Sequence, residues 1–206
     1  MKSNNYIKAV ISDLGKVLLD FDHGVAVRNL AKVAGVKDNQ VYDALFASGL
    51  EDRYENGLIS TAELHHEMER RLGAKFRLED LREATCNIFS PIDPVISMMA
   101  EVKRSGTPIL LLSNTNELHF EYVLEQFPFV KMFEHHILSY VVKSMKPDLP
   151  IYQEAVRLAG VRPDECFFFD DIQHNVEGAL KAGLDAVQFT SATSLRQHLS
   201  ERGILT

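Results

Sequence analysis

Five short runs of almost unbroken apolar residues constrain this chain more than any other feature: "IKAVIS" (7–12), "PILLLS" (108–113), "HHILS" (135–139), "CFFFD" (166–170) and "DAVQF" (185–189). Each has the length of a strand. A strand with one wet face alternates apolar and polar residues, whereas a continuous apolar run needs cover on both faces, as in a parallel sheet under helices. The stretches between the later runs read as those helices. "PVISMMAEVKRSG" starts with Pro94 at a first-turn position and stops at Gly106, and "DLPIYQEAVRLAG" runs from Asp148 as N-cap to Gly160. "IQHNVEGALKAG" and "SLRQHLSERG" continue the alternation. The pattern predicts an α/β fold with a doubly wound, Rossmann-like parallel sheet.

Residues 20–90 break that rhythm. They show no convincing strand and several helical signals: "HGVAVRNLAKVAG", "DNQVYDALFAS", "STAELHHEMERRLG" with Ser60 and Glu63 in capping-box spacing, and "RLEDLREATCNIF". The expected organisation is a core of residues 1–19 and 91–206, with a helical cap of residues 20–90 inserted after the first strand. Ligands of open α/β sheets bind beyond the carboxyl ends of the strands. An insertion leaving from the first strand tip would lie over that crevice.

Composition excludes several classes. The net charge of −7, with no cluster of Lys and Arg, argues against a nucleic-acid partner. No stretch approaches a membrane span and "MKSNNYIKAV" lacks a leader's apolar segment, so a cytoplasmic protein without a membrane partner is expected. The two cysteines, Cys86 and Cys166, are far apart and read as reduced, packed thiols. Nothing in the sequence speaks to oligomeric state.

The polar residues just past the apolar runs carry the chemistry. The first run delivers Asp13, the second Ser113 and Asn114, and the fourth Asp170 and Asp171 with Asn175 shortly after; Lys146 follows the third. Any one of these alone reads as a turn, cap or surface residue. In a parallel sheet all of them face one crevice. Asp13, Asp171 and a backbone carbonyl make a hard oxygen set suited to Mg²⁺. An Asp can attack phosphorus, a lysine and a metal can offset phosphoryl charge, and hydroxyl and amide groups can hold its oxygens.

The stretches "VISDLGKVL", "ILLLSNTN", the Lys146–Pro147 pair and "FFFDDIQHN" resemble, in order and spacing, the four motifs of the haloacid dehalogenase-like superfamily. The insertion occupies the position of that family's type 1 cap. "YENGLIS" (54–60) and "KPDLPIYQEAV" (146–156) further resemble its small bacterial alpha-D-glucose-1-phosphate phosphatase branch. The resemblance implies a Mg²⁺-dependent phosphatase that hydrolyses a small phosphorylated metabolite, most simply a sugar phosphate, through an aspartyl phosphate. It implies Asp13 as nucleophile and metal ligand, Gly15 as a metal ligand through its carbonyl, and Asp171 as direct metal ligand. Ser113 and Asn114 would bind the phosphoryl group, Lys146 would bridge nucleophile and phosphate, and Asp170 and Asn175 would support the metal acids from behind.

One departure matters. These phosphatases commonly carry a second acid two residues after the nucleophile as general acid/base, and here that position is Gly15, followed by Lys16. General acid catalysis is worth about 10²–10⁴-fold, so its loss disfavours a phosphomutase and is compatible with a phosphatase. Asp20, Asp22 and His23, at the expected hinge, are candidate proton sources; Lys16 is expected to turn to solvent. Glu51, Asp52, Arg53 and Tyr54 are candidate substrate readers in the cap, and His65, His66 and His174 are expected on wet surfaces. Two other functions fit the same fold: a metal-independent 2-haloacid-type dehalogenase, which the Asp170–Asp171 pair argues against, and a non-catalytic binder of phosphorylated ligands.

Overall fold

A computed structural model describes residues 6–205; the opening segment 1–5, read above for the absence of a leader, and Thr206 lie outside it. The main sheet contains β1 (Ala9–Ser12), β4 (Ile109–Ser113), β5 (His135–Leu138), β6 (Cys166–Asp170) and β7 (Asp185–Gln188), all parallel, in the order β5-β4-β1-β6-β7. The apolar runs are continuous because the strands feed two cores. Val10, Leu111, Phe167 and Phe169 pack on one face, and Ala9, Ile11, Leu110, Leu112 and Phe168 on the other.

Helices cover both faces. On the first side lie α6 (Asp93–Arg104), α7 (Glu117–Gln126) and α11 (Ala192–Glu201), contributing Met98 and Met99, Phe120 and Val123, and Leu195 and Leu199. On the other lie α9 (Leu149–Ala159) and α10 (Gln173–Lys181), contributing Ile151, Tyr152, Val176 and Ala179. A short helix, α8 (Ser139–Val142), leads from β5 toward Lys146. Asp148 takes the extended N-cap conformation of α9 without a side-chain capping bond. The sequence reading singled out no helix over 117–126. There the structure has α7, opened by Asn116, whose side chain accepts from the His119 amide.

Between β1 and α6 the chain folds as a helical unit built on α1 (His23–Ala34), α2 (Asp38–Tyr42), α3 (Leu50–Glu55), α4 (Thr61–Leu72) and α5 (Leu78–Cys86), with a π-helical turn over Asp43–Ala47. It has its own core, with Leu30, Met68 and Leu81 at its centre. The capping box at Ser60 and Glu63 forms as expected. One expectation is corrected: β2 (Leu19–Phe21) and β3 (Phe89–Pro91) pair antiparallel as a ribbon at the stem of the insertion, where no strand was anticipated. Runs this short leave no alternation to read.

The insertion is latched to the sheet domain by polar contacts. The Tyr54 hydroxyl accepts from the Leu118 amide at 3.1 Å and shares a hydrogen with Thr61 at 2.7 Å, and Thr61 donates to Glu117. Tyr54 thus serves a first-turn amide of α7 that would otherwise lack a partner. No helix of the described residues is long and apolar enough to cross a membrane. Cys86 and Cys166 are free, buried thiols.

Candidate active site

The three central strands end at one place. Ser12 is in register with Leu111 of β4 and Phe169 of β6, so the next residue, Asp13, emerges between the tips of both neighbours. Its amide donates to the Phe169 carbonyl at 3.1 Å, which fixes the backbone that carries the carboxylate. Lys146 reaches the same point from the loop after α8. Its Nζ donates to Asp13 Oδ1 at 2.6 Å, to Asp170 Oδ2 at 2.6 Å and to the Leu112 carbonyl at 3.1 Å. Asp13, Lys146 and Asp170 are all buried. Burial alone would lower the Lys146 pKa, but the Asp13 and Asp170 carboxylates outweigh it and hold the ammonium above its ordinary value. Burial pushes the Asp13 carboxyl up; Lys146 opposes that shift and Asp170 adds to it.

Asp170 and Asp171 are adjacent but differently placed. Both oxygens of Asp170 are taken: Oδ1 accepts from the Ile172 amide and Asn175, and Oδ2 from Lys146 and Asn175. Asp171 is half-buried at the edge of the cleft, its pKa raised by burial and by Asp170. Carboxylate oxygens of Asp13, Asp170 and Asp171 lie within 4.8 Å of one another. One ammonium faces three carboxyl groups, so the cluster holds more acid than its own lysine can pair. The Gly15 carbonyl accepts no hydrogen bond among the described residues. A hard divalent cation fits this oxygen set in both charge and chemistry.

Ser113 and Asn114 stand at the end of β4 and line the same cleft. The Ser113 hydroxyl makes only a long 3.3 Å contact with the Asn114 carbonyl, leaving it available. Asn114 is more committed: its Oδ1 accepts from the Lys146 amide at 2.8 Å and its Nδ2 donates to the Lys146 carbonyl at 3.0 Å. The amide therefore positions the lysine loop and keeps one hydrogen free. Asn175 acts through Asp170.

The missing acid at Gly15 has a steric counterpart that sequence spacing could not reveal. A β-carbon at this position would sit 2.8 Å from Cε1 of Phe21. The Phe21 ring cannot move aside cheaply. It packs edge-on against His23 at 4.8 Å and Phe89 at 5.9 Å, and Lys16 Nζ lies 4.8 Å over its face. Restoring the acid with Gly15→Asp is accordingly expected to destabilise the fold by about 1–3 kcal/mol through overpacking. Chemical denaturation should show this loss, and Phe21→Ala in the same chain should recover part of it.

Lys16 turns to the rim, half-exposed, where it bonds Asp20 Oδ1 at 2.6 Å and the Phe21 carbonyl. Of the hinge candidates for proton donation, Asp20 is held by Lys16 and Asp22 caps α1 by accepting from the Gly24 amide. His23 does line the cleft, but burial and then Lys16 lower its pKa. The candidate substrate readers Glu51, Asp52, Arg53 and Tyr54 lie on α3 rather than in a loop, and none of them lines the cleft. Tyr54 is buried in the latch, and Asp52 and Arg53 are exposed. The next residue along, Glu55, is the one that enters it. His66 and His174 are exposed as expected, whereas His65 is half-buried, its Nε2 2.7 Å from the Phe76 carbonyl.

The cleft encloses about 140 Å³ between these polar groups and an apolar wall of Leu14, Phe21, Phe89 and Val123. A family model described as a haloacid dehalogenase-like hydrolase matches residues 7–183. The chain belongs to that family. The D-ribitol-5-phosphate phosphatase of Bacteroides thetaiotaomicron is 24% identical over 200 residues, covering 94% of this chain and 97% of the relative. Flavin mononucleotide hydrolase 1 of Arabidopsis thaliana is 28% identical, covering 73% of this chain and 61% of its own length. Among solved structures, the HAD family enzyme BT-2542 of Bacteroides thetaiotaomicron, in complex with magnesium and inorganic phosphate, superposes with a TM-score of 0.79 at 27% identity, covering 89% of this chain and 94% of that one.

Proposed function

We propose that this chain is a Mg²⁺-dependent phosphatase that hydrolyses a small phosphorylated metabolite through an aspartyl phosphate on Asp13. The observation that carries the reading is the Lys146 ammonium clamped between Asp13 and Asp170 at 2.6 Å from each, beside a third carboxylate. The arrangement holds a nucleophile at a fixed angle to the cleft and keeps positive charge where phosphoryl oxygens arrive. Asp13, Asp171 and the Gly15 carbonyl would hold the metal; Asp170, with both oxygens bonded, would act from behind it. A Mg²⁺ ion held there would offset phosphoryl charge.

The chain's own residues supply the rest. Lys146 opposes the burial that favours protonation of Asp13 and holds its carboxylate through a direct hydrogen bond, and Asn114 locks the lysine loop through two backbone hydrogen bonds. The Ser113 hydroxyl and the free Asn114 amide hydrogen receive the phosphoryl oxygens. The insertion, placed over the strand tips as a cap of about residues 20–90, limits substrates to small molecules. A sugar or polyol phosphate is the favoured class, supported by the named activity of the Bacteroides relative. The net charge of −7 supports a metabolite rather than a nucleic acid as partner.

The reading is tested by phosphate release from sugar and polyol phosphates, nucleotides and phosphoglycolate, with Asp13→Asn as the blank. Release is expected with Mg²⁺, to vanish in EDTA, and to return when Mg²⁺ is restored. Phosphate binding without turnover of any member would overturn it in favour of a binding protein. Metal-independent turnover of a 2-haloacid, undiminished in EDTA, would overturn it in favour of a dehalogenase.

A further inference from the structure

We propose that Glu55, carried by the helical insertion, is the acid/base that exchanges protons with the leaving group and with water in this cleft, the task left open by Gly15. The inference rests on the phosphatase reading above. Glu55 ends α3 and lines the cavity that also holds Asp13, Ser113, Lys146 and Asp171. No described residue hydrogen-bonds its carboxyl group, so its proton is uncommitted.

Its position is set by three anchors, one before it and two after. Tyr54 is tied to the Leu118 amide of α7. Asn56 donates to the sulfur of Met145, the residue before the clamping lysine, at 2.7 Å. Gly57, at φ +62°, lies so near the Tyr140 backbone that a β-carbon would come within 2.1 Å of its carbonyl oxygen. The segment is therefore clamped to the wall that carries Lys146, and Glu55 between these anchors lines the cleft that also holds Asp13. A carboxyl delivered this way does not collide with Phe21, as an acid at position 15 would.

The electrostatics suit the task. Burial, with Asp52 adding, pushes the Glu55 carboxyl up to about 7, while Lys146 works against the shift. The other titratable groups facing the cleft are Lys16 and His23 from the segment after β1, His119 from α7, and the Asp13–Asp171 cluster. An acid poised near neutrality can both give and take a proton at working pH. The alternatives are occupied or mismatched. His119 has its two nitrogens at the Thr85 carbonyl and Asn116, and burial brings its pKa down to about 4. His23 is packed between Phe21 and Phe46 and holds its proton weakly.

The step balances. An Asp13 oxygen bonds to phosphorus as the ester P–O bond breaks; the electron pair stays on the departing oxygen, which takes the Glu55 proton. Water then attacks the same phosphorus and gives a proton to the Glu55 carboxylate. The P–O bond to Asp13 breaks, releasing phosphate and restoring both acids.

The test compares two esters in wild type and Glu55→Gln by kcat/KM, which reads the chemistry up to leaving-group departure. With an alkyl phosphate, whose alkoxide needs a proton, the variant is expected to lose about 10²–10⁴-fold. With p-nitrophenyl phosphate, whose phenolate departs without one, the loss is expected to be at least tenfold smaller. Glu55→Asp, which keeps the acid, should recover part of the alkyl activity. Equal losses on both esters mark a structural or merely substrate-holding residue and overturn the proposal. So does a wild-type alkyl rate in Glu55→Gln, or the same ester-dependent pattern in His23→Asn instead. Failure of wild type to release phosphate from either ester would instead sink the phosphatase reading itself.

Discussion

Asp13→Asn is expected to lower turnover by on the order of 10⁴–10⁶-fold, the scale seen when a covalent nucleophile is removed, while leaving the fold intact. The geometry separates the two effects. Asn matches Asp in shape and can turn its carbonyl oxygen to Lys146, whose ammonium keeps its 2.6 Å bond to Asp170. The backbone of residue 13 is held independently through its amide on Phe169. No buried charge is left without a partner, so thermal midpoints of variant and wild type should agree closely. The amide cannot attack phosphorus, so rapid acid quench of wild type with labelled substrate should trap a phosphoryl group on the chain that Asp13→Asn never accumulates. Turnover within about tenfold of wild type, or label retained by the variant, would remove Asp13 from the nucleophile's role.

How far the sequence foretold this site depends on what places each residue. Asp13, Ser113 and Asp170 sit at the ends of strands whose apolar runs are unbroken because both faces are covered, so the runs located the tips and the tips located the acids. Lys146 needed only to follow the third strand within reach. The residues that escaped are those positioned by tertiary contacts. Phe21 lies on a three-residue strand and meets Gly15 only because the chain doubles back at the stem of the insertion. Helix α7 was missed because its buried residues answer to two cores: Leu118 packs into the insertion, whereas Phe120 and Val123 pack onto the sheet. Two apolar faces on one short helix blur the 3.6-residue stripe. Glu55 is one acid among several on α3, and only the docking of Tyr54, Asn56 and Gly57 distinguishes it from Asp52.

The same clamp predicts a large loss of stability from Lys146→Met. Methionine fills much of the volume but leaves Asp13 and Asp170 buried together with no positive charge between them. Removing one partner of a buried ion pair costs about 3–5 kcal/mol, which in a domain of this size lowers the melting temperature by roughly 6–20 °C. The deficit should depend on pH with a definite sign. Burial already raises the Asp13 carboxyl above its unfolded value to about 7, and the variant loses the ammonium that opposed that shift. A folded-state pKa above the unfolded one means that the native state binds more protons, so stability falls as pH rises through the window between the two. Denaturation curves should therefore show the smallest deficit at about pH 5 and the largest at about pH 8. Adding Asp170→Asn to the variant removes one of the two stranded charges and should restore part of the loss at the higher pH. A deficit that stays flat across this range, or no gain from the second substitution, would mean that the Asp13–Lys146–Asp170 clamp is not what holds the strand tips together.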